Sequence, residues 1–171
     1  MPELLLFTDP AALDEREFLD IFLESSLKNA PRWYPELSPE DALKKYESGF
    51  MDYIRNAFFA EGGILAVLTD AGHYRSSLRL HPQGEAEYMP EALETRPDSR
   101  GKGYGKELMI QTIKALEEKF GAITLNSFTW KTNYASLATH RAAGFARIHE
   151  YYIEDGVKDE NCVTLLYKTK R

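Results

Sequence analysis

A glycine-rich basic segment, Arg100–Lys106, comes immediately before a stretch with helical periodicity and constrains the fold of this chain more than any other feature. Its sequence is Arg-Gly-Lys-Gly-Tyr-Gly-Lys, and residues 107–120 then repeat Leu108, Thr112 and Leu116 at helical spacing. Glycines let a backbone approach a ligand closely, and the amides that begin a helix point outward at the positive end of its dipole. The segment therefore predicts a binding site for an anion such as a phosphate.

The spacing of the glycines excludes two common phosphate-binding loops. A P-loop requires G-x-x-x-x-G-K and then Ser or Thr, but Arg100 holds the position of its first glycine and Glu107 that of its hydroxyl. A dinucleotide fingerprint, G-x-G-x-x-G, that starts at Gly101 requires glycine or alanine where the chain has Lys106. The spacing that remains is R-x-x-G-x-G, which begins at Arg100.

Length and composition favour one globular domain over residues 1–171. Of the 171 residues, 43% are hydrophobic and 28% are charged, which is enough for one core but short for two. The apolar run Leu4–Phe7 is too short for a signal peptide or a membrane span. The single cysteine, Cys162, cannot form an internal disulfide, and no Cys/His cluster has metal-ligand spacing. We therefore expect a cytoplasmic, metal-free protein without a membrane partner.

Positive charge is concentrated in the glycine-rich region. The net charge of the chain is −6, yet residues 96–106 contain four cations and one anion. Nucleic-acid binding needs clustered cations well beyond a single ligand loop, so we expect no nucleic-acid partner. The acidic first half of the chain either attracts a cationic amine or is the ordinary solvated face of surface helices.

Helical patterns and strand patterns follow one another in a defined order. Asp9–Pro10 and Ser38–Pro39 each supply an N-cap and a first-turn proline, and Gly62–Gly63 and residues 81–84 indicate hairpin turns. The predicted strands are 4–7, 57–60, 64–69, 74–80, 86–95, 122–128, 146–153 and 163–168, and the predicted helices are 10–28, 39–54, 103–120 and 133–143. We predict an α/β (α+β) fold whose mixed central sheet contains about seven of these eight strands, in the order β-α-α-β-β-β-α-β-α-β-β.

A second motif lies downstream of the glycine-rich segment. Residues 133–145, Asn-Tyr-Ala-Ser-Leu-Ala-Thr-His-Arg-Ala-Ala-Gly-Phe, fit the pattern N-x-x-A/S-x-x-x-Y/H-x-x-x-G-F. In this motif, in the R-x-x-G-x-G loop and in the order of its elements, the chain resembles members of the GNAT superfamily of N-acetyltransferases. The close resemblance covers residues 85–153, the part that would bind acetyl-CoA. Residues 1–56, which would form the first strand and the acceptor-side helices, match by element order only.

The resemblance implies direct transfer of an acetyl group from acetyl-CoA to an amine of a small molecule or a protein in a ternary complex. The alternative is a non-catalytic module that binds acyl-CoA as a sensor or an assembly surface. The oligomeric state is left open by the sequence, and a homodimer is compatible with it. The implied cofactor-binding residues are Leu93, Thr95, Arg100, Gly101, Lys102, Gly103, Tyr104, Gly105, Lys106, Asn133 and Ser136.

The resemblance also implies catalytic residues on the fourth strand and in the second motif. Glu91 is the preferred general base and Glu87 the second candidate, and regular strand alternation would place Glu94 on the opposite face from both. His140 stands where the pattern has Tyr or His, and an imidazole there can give a proton to sulfur or take one from the acceptor. Each also has an ordinary interpretation: Glu91 as an exposed strand carboxylate, and His140 as a satisfied partner within the fold.

Overall fold

The computed structural model describes residues 1–170. The strands in this range are β1 (Glu3–Phe7), β2 (Ile64–Asp70), β3 (His73–Gly84), β4 (Glu87–Thr95), β5 (Thr124–Trp130), β6 (Ala146–His149), β7 (Tyr152–Glu154), β8 (Val157–Asp159) and β9 (Cys162–Lys168). The α-helices are α1 (Glu15–Ile21), α2 (Leu23–Trp33), α3 (Pro39–Tyr53), α4 (Tyr104–Phe120) and α5 (Tyr134–Ala142). A π-helical turn (Ile54–Phe58) continues α3, and a 3₁₀ turn (Pro97–Ser99) follows β4.

Seven of these strands form one mixed sheet in the order β1-β2-β3-β4-β5-β9-β6. Neighbouring strands are antiparallel except β4 and β5, which run parallel. The predicted fold class and number of sheet strands are thereby confirmed. β7 and β8 form a separate two-stranded hairpin that the sequence analysis did not predict. Within residues 1–170 no helix has the length and apolar character needed to cross a bilayer.

Each face of the sheet carries its own apolar core. On one face, Phe18 of α1 and Phe58 of the π-helical turn are fully buried with Leu65 of β2. On the other face, α4 buries a stripe that includes Leu108 and Leu116 against β3 and β5. Burying one large apolar side chain contributes about 1.5–3 kcal/mol. The two cores therefore fix the helices on both sides of the sheet.

The predicted strand 57–60 is wrong, because these residues extend the helical segment. Ile54 and Phe58 are four residues apart, and both are fully buried in the core with α1 and α3. Gly63 lies against Phe58, since a Cβ added at Gly63 would lie 2.5 Å from a ring carbon. The apolar run is therefore part of helix packing and not of a hairpin. The turn between β3 and β4 also lies later than predicted, at residues 85–86.

The predicted helix over 10–28 starts later and is divided in two. Asp14, and not Asp9, caps α1, because its side chain accepts from the Glu17 N–H (3.0 Å). The helix is interrupted at Phe22, whose φ and ψ of −95° and 4° are not helical, and α2 begins at the next residue. Two short helices therefore precede α3 instead of one long helix.

The predicted strand 146–153 is also divided, into β6 and β7. The chain then turns through Asp155–Gly156 into β8, with φ of 49° and 78° at the two turn residues. Positive φ at both positions is what a type I′ hairpin turn requires, and Asp-Gly is one of its preferred sequences. The hairpin therefore has a local sequence signal, the dipeptide Asp155–Gly156.

The end of α5 adopts a Schellman motif. The Phe145 N–H donates to the His140 carbonyl (3.0 Å) and the Gly144 N–H to the Arg141 carbonyl (3.1 Å). Gly144 has φ of +92°, a conformation that favours glycine. Phe145 is buried, and its ring lies edge-on to the His140 imidazole with 4.8 Å between centroids. The motif thus fixes the backbone and the ring of His140.

Replacing Gly144 with alanine is expected to destabilise the protein by about 1–3 kcal/mol, because a side chain at this φ is strained. The added Cβ would also lie 3.3 Å from the Tyr167 ring. Gly49→Ala is the matched control, since Gly49 lies within α3 and an added Cβ would have nothing within 4 Å. The Gly49→Ala change should raise the free energy of unfolding by up to about 1 kcal/mol. Urea unfolding measures both; effects of equal sign and size would contradict the Schellman assignment.

Candidate active site

The parallel strands β4 and β5 pair briefly and then separate. Only Glu87 and Tyr88 of β4 are in register with β5. Pro90 follows and has no N–H with which to extend the ladder. Its carbonyl instead lies 3.4 Å from the Ser127 hydroxyl of β5. Beyond this point a cleft of about 600 Å³ opens between the two strands.

A β-bulge at Ala92 changes the direction of side chains along the cleft. Arg79 of β3 pairs with Glu91, whereas Ser77, two residues earlier, pairs with Glu94, so β4 contains one extra residue. Ala92 has φ of +49° in this bulge. The extra residue places Glu94 on the same face as Glu91, the face that α1 and α3 cover. Our expectation that Glu94 points to the opposite face is therefore wrong.

The glycine-rich segment forms an open turn between β4 and α4. Gly101 and Gly103 have φ of +75° and +85°, and Gly103 is the N-cap of α4 without a capping side chain in the described part of the chain. Gly105 lies close to β4, because a Cβ added there would be 3.3 Å from Thr95 Oγ1. Unpaired N–H groups at a helix start, with space in front of them, bind anions. We call this turn, residues 100–106, the cradle.

Two charged side chains of the cradle contact neighbouring groups. Arg100 donates to Glu24 of α2 and to Glu94 of β4, which connects the cradle to both elements. The Lys102 side chain donates to the backbone carbonyl of Asp98 (2.9 Å), and Lys102 does not line the cleft. The cationic charge predicted for this loop is therefore present, with part of it turned away from the cleft.

Helix α5 forms the opposite wall of the cleft. Asn133 is its N-cap and accepts from the Ser136 N–H (3.1 Å). Asn133, Ser136 and His140 follow one another at intervals of three and four residues, so they share one face of the helix. All three line the cleft.

His140 is buried and held in one tautomer. The residue is only 4% exposed. Nδ1 lies 2.8 Å from the Ser136 carbonyl, which can only accept, so Nδ1 carries the proton. Nε2 is then the acceptor for the Ser127 hydroxyl at 2.9 Å. Burial lowers the pKa of His140, although the hydrogen bond to the Ser136 carbonyl acts in the opposite direction. The imidazole is therefore neutral at pH 7.

Glu91 lies on the rim of the same cleft between two basic side chains. Its Oε1 is 2.7 Å from His81 Nε2 and 3.1 Å from Arg79 Nη2. The Arg79 guanidinium also lies over the rings of Phe50 and Tyr53, which belong to α3. The Glu91 side chain is 29% exposed, so the carboxylate remains accessible while its position is fixed.

The structure brings most of the predicted site residues together. Those that line the cleft are Glu91, Leu93, Thr95, Arg100, Gly101, Gly103, Tyr104, Gly105, Lys106, Asn133, Ser136 and His140. Lys102 and the second candidate base, Glu87, do not line it. Glu87 accepts instead from the side chain of Asn126 (2.5 Å).

Other lining residues were missed by the sequence analysis. They include Pro90, Ala92, Ser127, Phe128 and Thr129. Pro90 has a sequence signal, because a proline within a strand pattern indicates that pairing is lost on one side. The bulge at Ala92 and the Ser127 contact arise from strand register and helix packing, for which the local sequence carries no pattern.

The pKa of His140 is expected to fall below its ordinary value of 6.5 because the ring is buried. Stability from the neutral ring is then fully present above the unfolded-state pKa and is lost as pH falls through the folded-state pKa. Between these two pKa values, the free energy of unfolding of the wild type should fall by up to about 1.4 kcal/mol per pH unit more than that of His140→Gln. NMR titration of the imidazole gives the midpoint, and urea unfolding gives the slope. A midpoint at or above 6.5 would contradict the buried neutral state.

Comparison with known proteins identifies the family of this chain. Residues 24–145 match the model of the acetyltransferase (GNAT) family. The UPF0039 protein C11D3.02c of Schizosaccharomyces pombe is 27% identical over 95 residues, which cover 56% of this chain and 62% of that protein. The match therefore spans less than two thirds of the relative's length.

Solved structures share the fold. An acetyltransferase of Bacillus subtilis, solved in complex with CoA, has a TM-score of 0.62 at 12% identity and covers 99% of this chain and 100% of its own. The ribosomal-protein-S18-alanine N-acetyltransferase of Escherichia coli has a TM-score of 0.53 at 21% identity, over 71% of this chain and 76% of its own. At such identities the likeness concerns the fold, and the family assignment rests on the family model. By that match the chain belongs to the acetyltransferase (GNAT) family.

Proposed function

We propose that this protein is an N-acetyltransferase that transfers an acetyl group from acetyl-CoA to a primary amine of a small molecule or a protein. Family membership supports acetyl-CoA as the co-substrate. The observation that carries the proposal is the cleft between β4 and β5, because the cradle, Glu91 and His140 all line it. A phosphate-binding turn and two groups that can move protons therefore share one cavity.

The cradle has the properties that the CoA pyrophosphate requires. A Cβ added at Gly101 or Gly103 would have nothing within 4 Å, so the backbone there is open to a ligand. The start of α4 adds N–H groups and the positive end of the helix dipole. Arg100 can exchange its exposed carboxylate partner Glu24 for a phosphate at small cost, because exposed ion pairs contribute only about 0–1 kcal/mol. Lys102 would contribute its backbone amide.

The pantetheine arm is assigned to the space between β4 and α5. Beyond Tyr88 the edge of β4 is not paired with β5, so its backbone groups are available to the amides of the arm. Leu93 and Thr95 line this space from β4, and Asn133 and Ser136 line it from α5. These residues make up the remainder of the predicted cofactor set.

Glu91 is assigned as the general base. Acetyl-CoA supplies the acetyl group as a thioester, which an amine attacks once it has lost its ammonium proton. Among residues 1–170, His81 donates to Oε1 of Glu91 and the Arg79 guanidinium pairs with the same oxygen, which leaves Oε2 to the amine. Arg79 and His81 hold the carboxylate in one orientation, as a positioned base requires.

The sequence left two roles open for His140, giving a proton to sulfur and taking one from the acceptor. We assign it the second role. Its Nδ1–H is used by the Ser136 carbonyl, and its Nε2 is a neutral acceptor on the wall of the cleft. A neutral imidazole whose one N–H is already hydrogen-bonded has a lone pair at the other nitrogen, so it can accept a proton there.

The competing function, acyl-CoA binding without catalysis, would use the same cradle. It requires no base on the acceptor side of the cleft. The fixed and accessible carboxylate of Glu91 therefore favours the transferase.

Replacing Arg100 with alanine and Gly103 with proline together is expected to abolish stabilisation by acetyl-CoA. At about 100 times its Kd a ligand stabilises the folded state by about 2.7 kcal/mol, or roughly 5–10 °C in Tm for a chain of this size. Gly121→Ala is the control, since Gly121 is the C-cap of the same helix, also has positive φ, and an added Cβ there would have nothing within 4 Å. Thermal shift assays should show the full shift in that control. A full shift in the double variant would place the cofactor elsewhere.

The wild type is expected to acetylate members of a pooled amine library, detected by free thiol and by product mass. Glu91→Gln should lower kcat/KM by about 10²–10⁴-fold and leave the acetyl-CoA thermal shift intact. Glu87→Gln is the control on the same strand, because Glu87 lies outside the cleft. Tight binding of acetyl-CoA without any product from the wild type would favour the non-catalytic module. Loss of activity in Glu87→Gln alone would move the base to Glu87.

A further inference from the structure

Ser127 lies at the apex of the cleft, where β4 and β5 diverge. It is 3% exposed and two residues beyond Leu125, the last β5 residue in register with β4. Its hydroxyl lies between His140 Nε2 (2.9 Å) and the Pro90 carbonyl (3.4 Å). The roles assigned so far leave this hydroxyl unused.

The hydroxyl and the imidazole have two hydrogen-bond arrangements that differ by one proton. A hydroxyl carries one proton and can donate it to one acceptor at a time. Because Nδ1 of His140 carries its proton, Ser127 donates to Nε2 and keeps a lone pair for a group in the cleft. Once Nε2 is protonated, it donates to Ser127, and the hydroxyl proton is directed at the Pro90 carbonyl or at the cleft.

We propose that Ser127 is a catalytic residue whose hydroxyl relays a proton from the acceptor nitrogen to the CoA sulfur, with the His140 imidazole holding the proton in between. The inference rests on the proposed N-acetyltransferase function. It adds a residue that neither the sequence motifs nor the family match pointed out.

The relay balances in atoms and charge. As the nitrogen forms its bond to the acetyl carbon, Ser127 Oγ accepts one of the nitrogen's protons and passes its own proton to His140 Nε2. The carbon–sulfur bond breaks with its electron pair on sulfur. His140 then returns a proton to Ser127, whose hydroxyl proton passes to sulfur. The products are an acetylated amine and the CoA thiol, both side chains are restored, and no further reactant is consumed.

The surroundings of the pair fit a relay better than a bond that only stabilises the fold. The Schellman motif and the contact with Phe145 hold the imidazole in place, so Nε2 cannot turn away from Ser127. Burial of the ring disfavours its charged form, so a proton taken from Ser127 is returned readily. Ser127 and His140 both line the cleft.

Ser127→Ala is expected to lower kcat by about 10²-fold or more with an unchanged acetyl-CoA thermal shift, which also reports that the variant is folded. Ser127→Thr keeps the hydroxyl and should retain turnover within about tenfold of the wild type. Ser77→Ala is the matched control: it removes an equally buried strand hydroxyl that has no hydrogen-bond partner within residues 1–170 and lies outside the cleft. Its turnover should equal that of the wild type.

Two further measurements separate a relay from a structural role. Nitrogen-15 NMR of the free protein should show His140 protonated at Nδ1, with an Nε2 resonance that moves in Ser127→Ala. The double variant Ser127→Ala/His140→Gln should be no slower than the slower single variant, because two residues that act as one unit have non-additive effects.

Three results would each overturn the relay: wild-type turnover in Ser127→Ala, additive losses in the double variant, or a tautomer of His140 protonated at Nε2. None of them would contradict the transferase function. A wild-type protein that binds acetyl-CoA and acetylates no amine would overturn the transferase function and the relay with it. These two failures are distinguished by the wild-type assay.

Discussion

Backbone pairing between β4 and β5 stops after Tyr88, because Pro90 has no N–H to offer to its parallel neighbour. The rest of the site depends on this interruption. It opens the cleft, exposes the unpaired edge of β4, and allows the Ser127 hydroxyl to approach the Pro90 carbonyl across the gap. Two residues after Pro90, the bulge at Ala92 places Glu91 and Glu94 on the same face. A continuous parallel ladder would leave no room for a ligand arm between the strands.

The two walls of the cleft are held apart by packing on both sides of the sheet. α4 packs on one face and approaches β4 closely at Gly105, where a larger residue would meet Thr95. α1 and α3 pack on the other face and position Arg79, which in turn holds Glu91. The cradle and the proposed base are thus set by different cores, so a change in one core should affect donor binding and acceptor chemistry separately.

The donor side of the site was largely predictable from sequence, because its signals are local. Glycine spacing at 100–106 and the capping role of Asn133 depend on neighbours in the chain, and the structure shows both features. Glu94 was placed on the wrong face, since the bulge at Ala92 follows from strand register. The apolar run at 57–60 looked like a strand because its burial depends on α1 and α3. Whether Glu91 and His140 act in catalysis stays a prediction.

The acceptor side was less predictable for a physical reason. Residues 1–56, which would form the acceptor-side helices, carry no motif, and the positions of α1 and α3 on the sheet are decided by tertiary packing. The Ser127–His140 hydrogen bond joins residues 13 apart in the sequence through the packing of α5 on the sheet. Asp155–Gly156 is the exception, since its turn type had a local signal. A family pattern thus predicts where an acetyl donor would bind, while no motif of the chain predicts the contacts of an amine.

Hydrogen exchange of the backbone amides, with and without acetyl-CoA, tests the central claim most directly. We expect acetyl-CoA to protect the amides of residues 101–106 and the unpaired edge of β4 at residues 91–95, because these groups would bond the cofactor. The hairpin β7–β8 should exchange at the same rate in both conditions. Protection confined to that hairpin or to β1 and β2, with the cradle unchanged, would contradict the assignment of the cleft between β4 and β5 as the acetyl-CoA site.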